Sequence, residues 1–328
     1  MVPLRSLIAI RITSFNDGVL VARIIMNSGG AEIIDKMLCC ASCGIAGGGD
    51  VKLKDCSACK LVKYCGIECQ RRHRKKHKKE CKKRAAELRD ELLFKQPEGS
   101  YRGDCPICCV PMPTDPQKHL FMVCCSKTIC LGCDYANLMR EFELRLQPKC
   151  PFCRHPLATS DEEAERNLMK RVEANDPAAI GQMGFYRYNA GNHSGAVECY
   201  TNAAEFGSVE AHYNLSIMYV RGEGVEKDEK KELYHLEEAA IGGHPDARNK
   251  LAALEWRRKK SDRAIKHFVI AANQGHDEAL EALKIAYRDG LVSKDDLASA
   301  LRAHQAAVDA ARSPQREEAE EIRKREGY

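Results

Sequence analysis

Seventeen of the eighteen cysteines lie between Cys39 and Cys153, and only Cys199 stands outside that window. Inside it twelve of them fall in six close pairs: "CASC", "CSAC", "YCGIEC", "CPIC", "CLGC" and "CPFC". Two thiolates three residues apart suit the bite of one tetrahedral ion. A secreted disulfide scaffold is short and cysteine-dense throughout. This chain has 328 residues and its second half is almost free of cysteine. The window is therefore expected to fold around metal ions in a reducing compartment, with the address cytoplasmic and/or nuclear.

The net charge of +5 is modest but concentrated: ten Lys/Arg and one acid, Glu80, lie between Gln70 and Arg84. No stretch approaches the roughly 18 apolar residues of a membrane span, so no membrane is expected as a partner. Residues 1–38 read as a poorly ordered leader; in the first 30, Arg5, Arg11 and Arg23 against the single acid Asp17 give a faint likeness to a mitochondrial presequence, and the apolar run Leu7–Ile10 is too short for a secretory signal.

Seven regions follow: the leader 1–38, a first cysteine cluster 39–84, a helical linker 85–103, a second cluster 104–157, a connecting helix 158–176, a helical repeat region 177–310 and a charged helical tail 311–328. The connecting helix should begin at Asp161, with Ser160 and Glu163 as a capping box, and stop before Pro177. In the repeat region "AAEFGSVEA", "AAIGGHPDA" and "AANQGHDEA" align without gaps, first 36 and then 32 residues apart. Each has an Ala-Ala pair, a glycine to stop a helix, and a further alanine that lets the next helix pack closely. Two helices per unit at this period mark an α-solenoid, whose units bury their apolar faces by stacking. The run "YNLSIMYVRGEGVEKDEKKELYHLEEAAIGGHPDA" resembles Sel1-like repeats, relatives of the tetratricopeptide group. Trp256, the Tyr and Leu residues at helical spacing, and Cys199 read as core.

The first cluster orders its ligands as Cys40, Cys43, Cys56, Cys59, Cys65, Cys69, His77 and Cys81. A module this small lacks the apolar core to fold without metal. "KYCGIECQRRHRKKHKKEC" resembles the MYND finger, and that resemblance implies interleaved sites: Cys40, Cys43, Cys65 and Cys69 on one zinc, Cys56, Cys59, His77 and Cys81 on the other. His73 is then a helix neighbour, and Cys39 competes with Cys40. MYND fingers mostly bind short proline-rich peptides, usually with a tryptophan at the position that here holds Arg74. The basic run is expected as a solvated face or import signal. No aromatic interleaves to stack on bases, so nucleic acid is not the expected partner.

The second cluster places Lys127, which cannot ligate at neutral pH, where such modules usually carry histidine. "CPIC…CC…CLGC…CPFCR" resembles a RING finger of all-cysteine type. That resemblance implies Cys105, Cys108, Cys130 and Cys133 on one zinc and Cys124, Cys125, Cys150 and Cys153 on another, making four Zn2+ ions in the chain, two per finger. Cys109 is spare, and a single-zinc module with a degenerate second site is the other possibility. The resemblance also implies docking of a ubiquitin-charged E2 enzyme, with Ile107 and Pro151 as contacts and Arg154 bracing ubiquitin. The large aromatic usual four residues after Cys133 is replaced by Asn137.

The expected fold class is two small zinc-stabilised modules followed by an all-α solenoid of Sel1-like helix-turn-helix repeats. The expected function is a RING-type E3 ubiquitin ligase, with a protein substrate or peptide held by the repeats or the MYND finger and no small-molecule substrate. Two alternatives stand beside it: a non-enzymatic protein–protein scaffold, and a nuclear regulator.

Overall fold

The computed structural model describes residues 39–326, so the expected leader lies outside the described residues. The described residues divide into two compact units, with the boundary between Glu91 and Leu92.

In the first unit, β1 (Lys54–Asp55) pairs antiparallel with β2 (Lys63–Tyr64), followed by α1 (Ile67–Leu93), whose last turn passes the unit boundary. The Ala41 amide donates to the Lys63 carbonyl, tying the first cysteine pair to β2. The core here is small: Cys40, Cys56, Cys59, Val62, Tyr64 and Cys69.

In the second unit, residues 94–103 follow the end of α1. Expected as a linker, they lie against the repeats. Arg248, fully buried, donates to the carbonyls of Leu93 and Lys95. The Phe94 ring packs on His267 at 4.7 Å with the Arg263 guanidinium over it. Tyr101 stacks on His244, whose other face meets Tyr213. The Tyr101 hydroxyl and Arg102 both donate to Glu210 at 2.9 Å.

Next come the antiparallel β3 (His119–Met122) and β4 (Lys127–Cys130), then α2 (Leu131–Glu143). Then α3 (Asp161–Glu173) is capped by Ser160, which accepts from the Glu163 amide. The Glu163 carboxylate reaches one residue beyond the expected box, accepting from the amide and hydroxyl of Thr159.

Eight helices form the repeats: α4 (Pro177–Asn189), α5 (His193–Glu205), α6 (Val209–Arg221), α7 (Glu229–Ile241), α8 (Pro245–Arg257), α9 (Ser261–Ala272), α10 (Asp277–Arg288) and α11 (Lys294–Ala310). They pack as hairpins α4/α5, α6/α7 and α8/α9, and successive hairpins stack on one another. The glycines that stop the second helix of each unit, Gly207, Gly243 and Gly275, all take positive φ between 84° and 93°. The residue after each donates its amide back to the first alanine of the pair, closing the same turn three times. The aligned alanines, Ala203, Ala211, Ala239, Ala247, Ala271 and Ala279, are fully buried, so helix backbones approach where larger side chains would hold them apart. Cys199 is buried, but Trp256 sits half-exposed at the rim beside Phe268 and Tyr234 is exposed. Periodicity marks a helix face, and at a solenoid's edge that face is only half covered. The tail forms α12 (Pro314–Glu326), which packs against α2. No helix among the described residues is long and apolar enough to cross a membrane.

Candidate metal centres and the surface of the second module

Four C-x-x-C pairs adopt one backbone device. The residue after the second cysteine takes positive φ: Gly44 at 75°, Lys60 at 53°, Cys109 at 54° and Arg154 at 63°. Its amide donates to the carbonyl of the first cysteine, and the first cysteine's amide donates five or six residues ahead, to Ile45, Val62, Val110 and His155. The chain thus folds around the two sulfurs and aims amides at them. Cys109 holds the left-handed position of its loop with an exposed side chain, and neither its sulfur nor that of Cys39 joins a cluster.

The sixteen candidate ligands come together in four groups, each with its ligand atoms within 4.8 Å of one another: Cys40, Cys43, Cys65 and Cys69; Cys56, Cys59, His77 and Cys81; Cys105, Cys108, Cys130 and Cys133; Cys124, Cys125, Cys150 and Cys153. In each module the groups interleave along the chain. Metal–sulfur bonds of about 2.3 Å give a tetrahedron with an edge of about 3.8 Å. Observed sulfur pairs are close to that edge: Cys43–Cys65 at 3.6 Å, Cys56–Cys81 at 3.8 Å, Cys108–Cys130 at 3.8 Å, Cys125–Cys150 at 3.9 Å and Cys124–Cys153 at 3.3 Å. The Cys59 sulfur lies 3.1 Å from His77 Nε2. His73 bonds Tyr64 through Nδ1 and stacks on His77.

The electrostatics fit a cation. Burial pushes the Cys40 thiol up, but the amides of Cys65, Cys43 and Ser42 outweigh it and hold it at about 6. Cys105, hydrogen-bonded by Cys130 and, against the cost of burial, by neighbouring amides, falls to about 4. Their neighbours move the other way: Cys65 rises to about 12 beside Cys69 and Cys43, and Cys81 to about 12 through burial and the nearby thiols. Four thiols this close cannot all ionise unless a positive ion compensates them.

The adjacent Cys124 and Cys125 occupy the tip of the β3–β4 hairpin. The amides of Cys125 and Ser126 both donate to the Met122 carbonyl, and Ser126 takes φ 55°. This tight tip brings both sulfurs toward Cys150 and Cys153. Lys127 opens β4 and places its ammonium 5.9 Å from the centre of the Phe152 ring. Cys130 is the N-cap of α2, its sulfur accepting from the Cys133 amide at 3.4 Å.

Ile107 is 40% exposed, and Phe152 and Met139 are also exposed, while Pro151 is half-buried. Arg154 is engaged within the module: one terminal nitrogen donates to Asn137 Oδ1 at 2.8 Å, the other to Glu141 Oε1 at 2.9 Å. Glu141, fully buried, also accepts from the Lys149 amide at 2.8 Å. Burial pushes its carboxyl up, but the Lys149 amide and the Arg154 charge leave it below the usual range. Asn137 completes the bracket by donating to the Lys149 carbonyl.

Arg316 of α12 is 9% exposed and grips the first loop of this module. Its guanidinium donates to the carbonyls of Pro111, Val110 and Ala311 and, at 3.4 Å, to the Cys108 sulfur. A Cβ at Gly132 would stand 2.8 Å from the Arg316 backbone nitrogen, so only glycine admits this approach. Lys118–Glu320 and Arg323–Gln117 add two further ties. Sequence reading missed Glu141 and Arg316. Each looks like one more charge on a polar helix, and their partners lie far off in the chain.

Residues 40–81 match the family model of the MYND finger, and this module is a zinc finger of that type. No curated protein matches the chain. Two solved structures are similar to its helical region. The Sel1 repeat protein from Oxalobacter formigenes is 19% identical over 54% of this chain and 74% of that one, with a TM-score of 0.41. c5321, a protective antigen present in uropathogenic Escherichia coli strains displaying an SLR fold, is 21% identical over 52% of this chain, with a TM-score of 0.37, and is matched over only 37% of its own length.

Proposed function

We propose that the chain is an adaptor-type E3 ubiquitin ligase: a protein-interaction scaffold of zinc modules and helical repeats whose second module docks a ubiquitin-charged E2 as a RING does. Four zinc ions, two per module, complete the fold. The observation that carries the reading is the interleaving of the two sulfur groups around the β3–β4 hairpin and α2, with Ile107 exposed on the first loop. Such a module offers no nucleophile. It contributes by positioning: Ile107 and Pro151 seat the E2, and Arg154 hydrogen-bonds across to ubiquitin so that the thioester is held for attack. The substrate is a protein or peptide held by the repeats or the MYND finger, in the cytoplasm and/or nucleus.

The Arg154–Asn137–Glu141 bracket favours a second reading, a scaffold without ligase activity in which Arg154 locks the second loop to α2. Autoubiquitination across a panel of E2 enzymes separates the two. The ligase reading expects activity with at least one E2 and its loss in both Ile107→Ala and Arg154→Ala; activity equal in all three proteins, or absent with every E2, overturns it.

A further inference from the structure

The most strongly charged surface among the described residues has no role in this reading. α1 runs unbroken from Ile67 to Leu93, and its first turns carry Cys69, His77 and Cys81 into the metal groups. At about 100° per residue, those three ligands occupy roughly a third of the helix circumference and fix which way the rest faces. Of the ten cations between Gln70 and Arg84, Arg71 pairs with Glu68, Lys83 with Glu87, and Arg84 with Glu87 and Glu91. The other seven, Arg72, Arg74, Lys75, Lys76, Lys78, Lys79 and Lys82, are exposed and have no acidic partner among the described residues. They cover about 200° of the circumference and about 15 Å of axis.

We infer that this face is a binding site for double-stranded DNA, seated in the major groove and read through phosphates. The angular spread carries the inference. Cations on the front and on both flanks of one helix can all be paired only by a partner that presents negative charge on both sides at once. An acidic peptide or a lipid surface meets one flank and leaves the other unpaired. A helix lying on a membrane also needs an apolar face, and here the face opposite the cations is turned into the metal groups. The major groove of B-DNA, about 12 Å wide, admits a helix of about 10–12 Å diameter between two rows of phosphates. The A-form major groove is too narrow to admit it. The absence of aromatics argues against unpaired bases, which need stacking platforms; it does not bear on a duplex. Lysine-rich contacts of this kind position without specifying, so binding is independent of sequence.

The test is fluorescence anisotropy of the full-length, zinc-loaded chain with a labelled DNA duplex two helical turns long, titrated across potassium chloride concentrations. Binding should weaken steeply with salt. The joint substitution Arg72→Gln, Lys75→Gln, Lys76→Gln and Lys79→Gln, which leaves every cysteine and histidine in place, should weaken it on the order of 100-fold and lower the slope of log K against log salt by about 3.6. Replacing Lys230, Arg258, Lys294 and Arg302 by Gln should change neither. The inference is overturned if the first set leaves affinity and slope unchanged at normal zinc content. It is equally overturned if duplex RNA or single-stranded DNA binds as tightly as the DNA duplex, or if polyglutamate or anionic phosphatidylserine vesicles bind more tightly. None of these outcomes depends on ubiquitin transfer.

Discussion

The two cysteine modules share one loop device and differ in what surrounds it. In the first, the core apart from its sulfurs comes down to Val62 and Tyr64. In the second, Met112, Met122 and Ile129 join the sulfurs, and α12 closes over the first loop through Arg316. The same local geometry therefore depends on metal to different degrees. The first module has little besides thiolate–metal bonds to offset its conformational entropy, whereas the second is also held by tertiary contacts to the far end of the chain.

Metal removal should split the modules most widely. Zinc binding supplies roughly 10–16 kcal/mol of apparent folding energy to finger-sized modules. Chelation should then free the amides of residues 39–83 to exchange at near-unfolded rates, while residues 177–310 stay protected and residues 104–157 lose protection only partly. Hydrogen-exchange mass spectrometry measures all three, and equal loss in both modules would remove the distinction.

The hold of α12 can be tested at its tightest point. Gly132→Ala would place a methyl group against the Arg316 backbone, costing about 1–3 kcal/mol of overpacking against a gain of up to about 1 kcal/mol in helix propensity. The expected result is a lower Tm with new proteolytic cleavage between residues 311 and 326. A higher Tm with α12 still protected would show that the approach is loose.

Arg316→Gln keeps a polar side chain but removes the fork that spans Cys108 and the carbonyls of Pro111 and Val110. Loss of such supporting contacts typically costs 10–100-fold in metal affinity. Zinc competition with a chromogenic chelator should show that loss in the second module only, with the MYND finger as internal control.

The smallest effect concerns the strap of residues 94–103. Burial pushes the Glu210 carboxyl up, but the His244 ring 3.7 Å away, the Arg102 charge and the hydrogen bond from Tyr101 bring it down to about 2. A depressed carboxyl contributes stability that is complete above its unfolded pKa of about 4.3 and is lost as pH falls toward 2. The side chain is 42% exposed, so screening reduces the contribution to about 1 kcal/mol. Glu210→Gln should flatten the acid limb of a stability–pH curve by that amount between pH 4.3 and 2; an unchanged limb would mean that Arg102 and Tyr101 anchor the strap without it.

Much of this was legible in residue spacing. A C-x-x-C pair and the left-handed residue behind it form one turn, so each loop is encoded within about seven residues. The Ala-Ala-x-x-Gly stops are equally local, and Gly207, Gly243 and Gly275 close identical turns because each needs only its own helix end. Trp256 shows the limit: its helical spacing suggested core, but how much of that face is covered depends on how the units stack.

What the sequence determined by itself is therefore the short-range chemistry: where sulfurs pair, where helices stop, and which stretch of α1 is cationic. Only the tertiary structure decided that Arg154 is bracketed by Asn137 and a buried Glu141, that residues 94–103 are strapped to the repeats by Arg248 and Glu210, and that Arg316 reaches Cys108 across 208 residues. The reason is physical. A turn or a helix stop is set by neighbours a few bonds away and leaves a periodic trace, whereas a buried charge is placed by whichever distant carbonyl, carboxylate or thiolate the packed chain brings beside it, and such pairing leaves no trace in either local stretch.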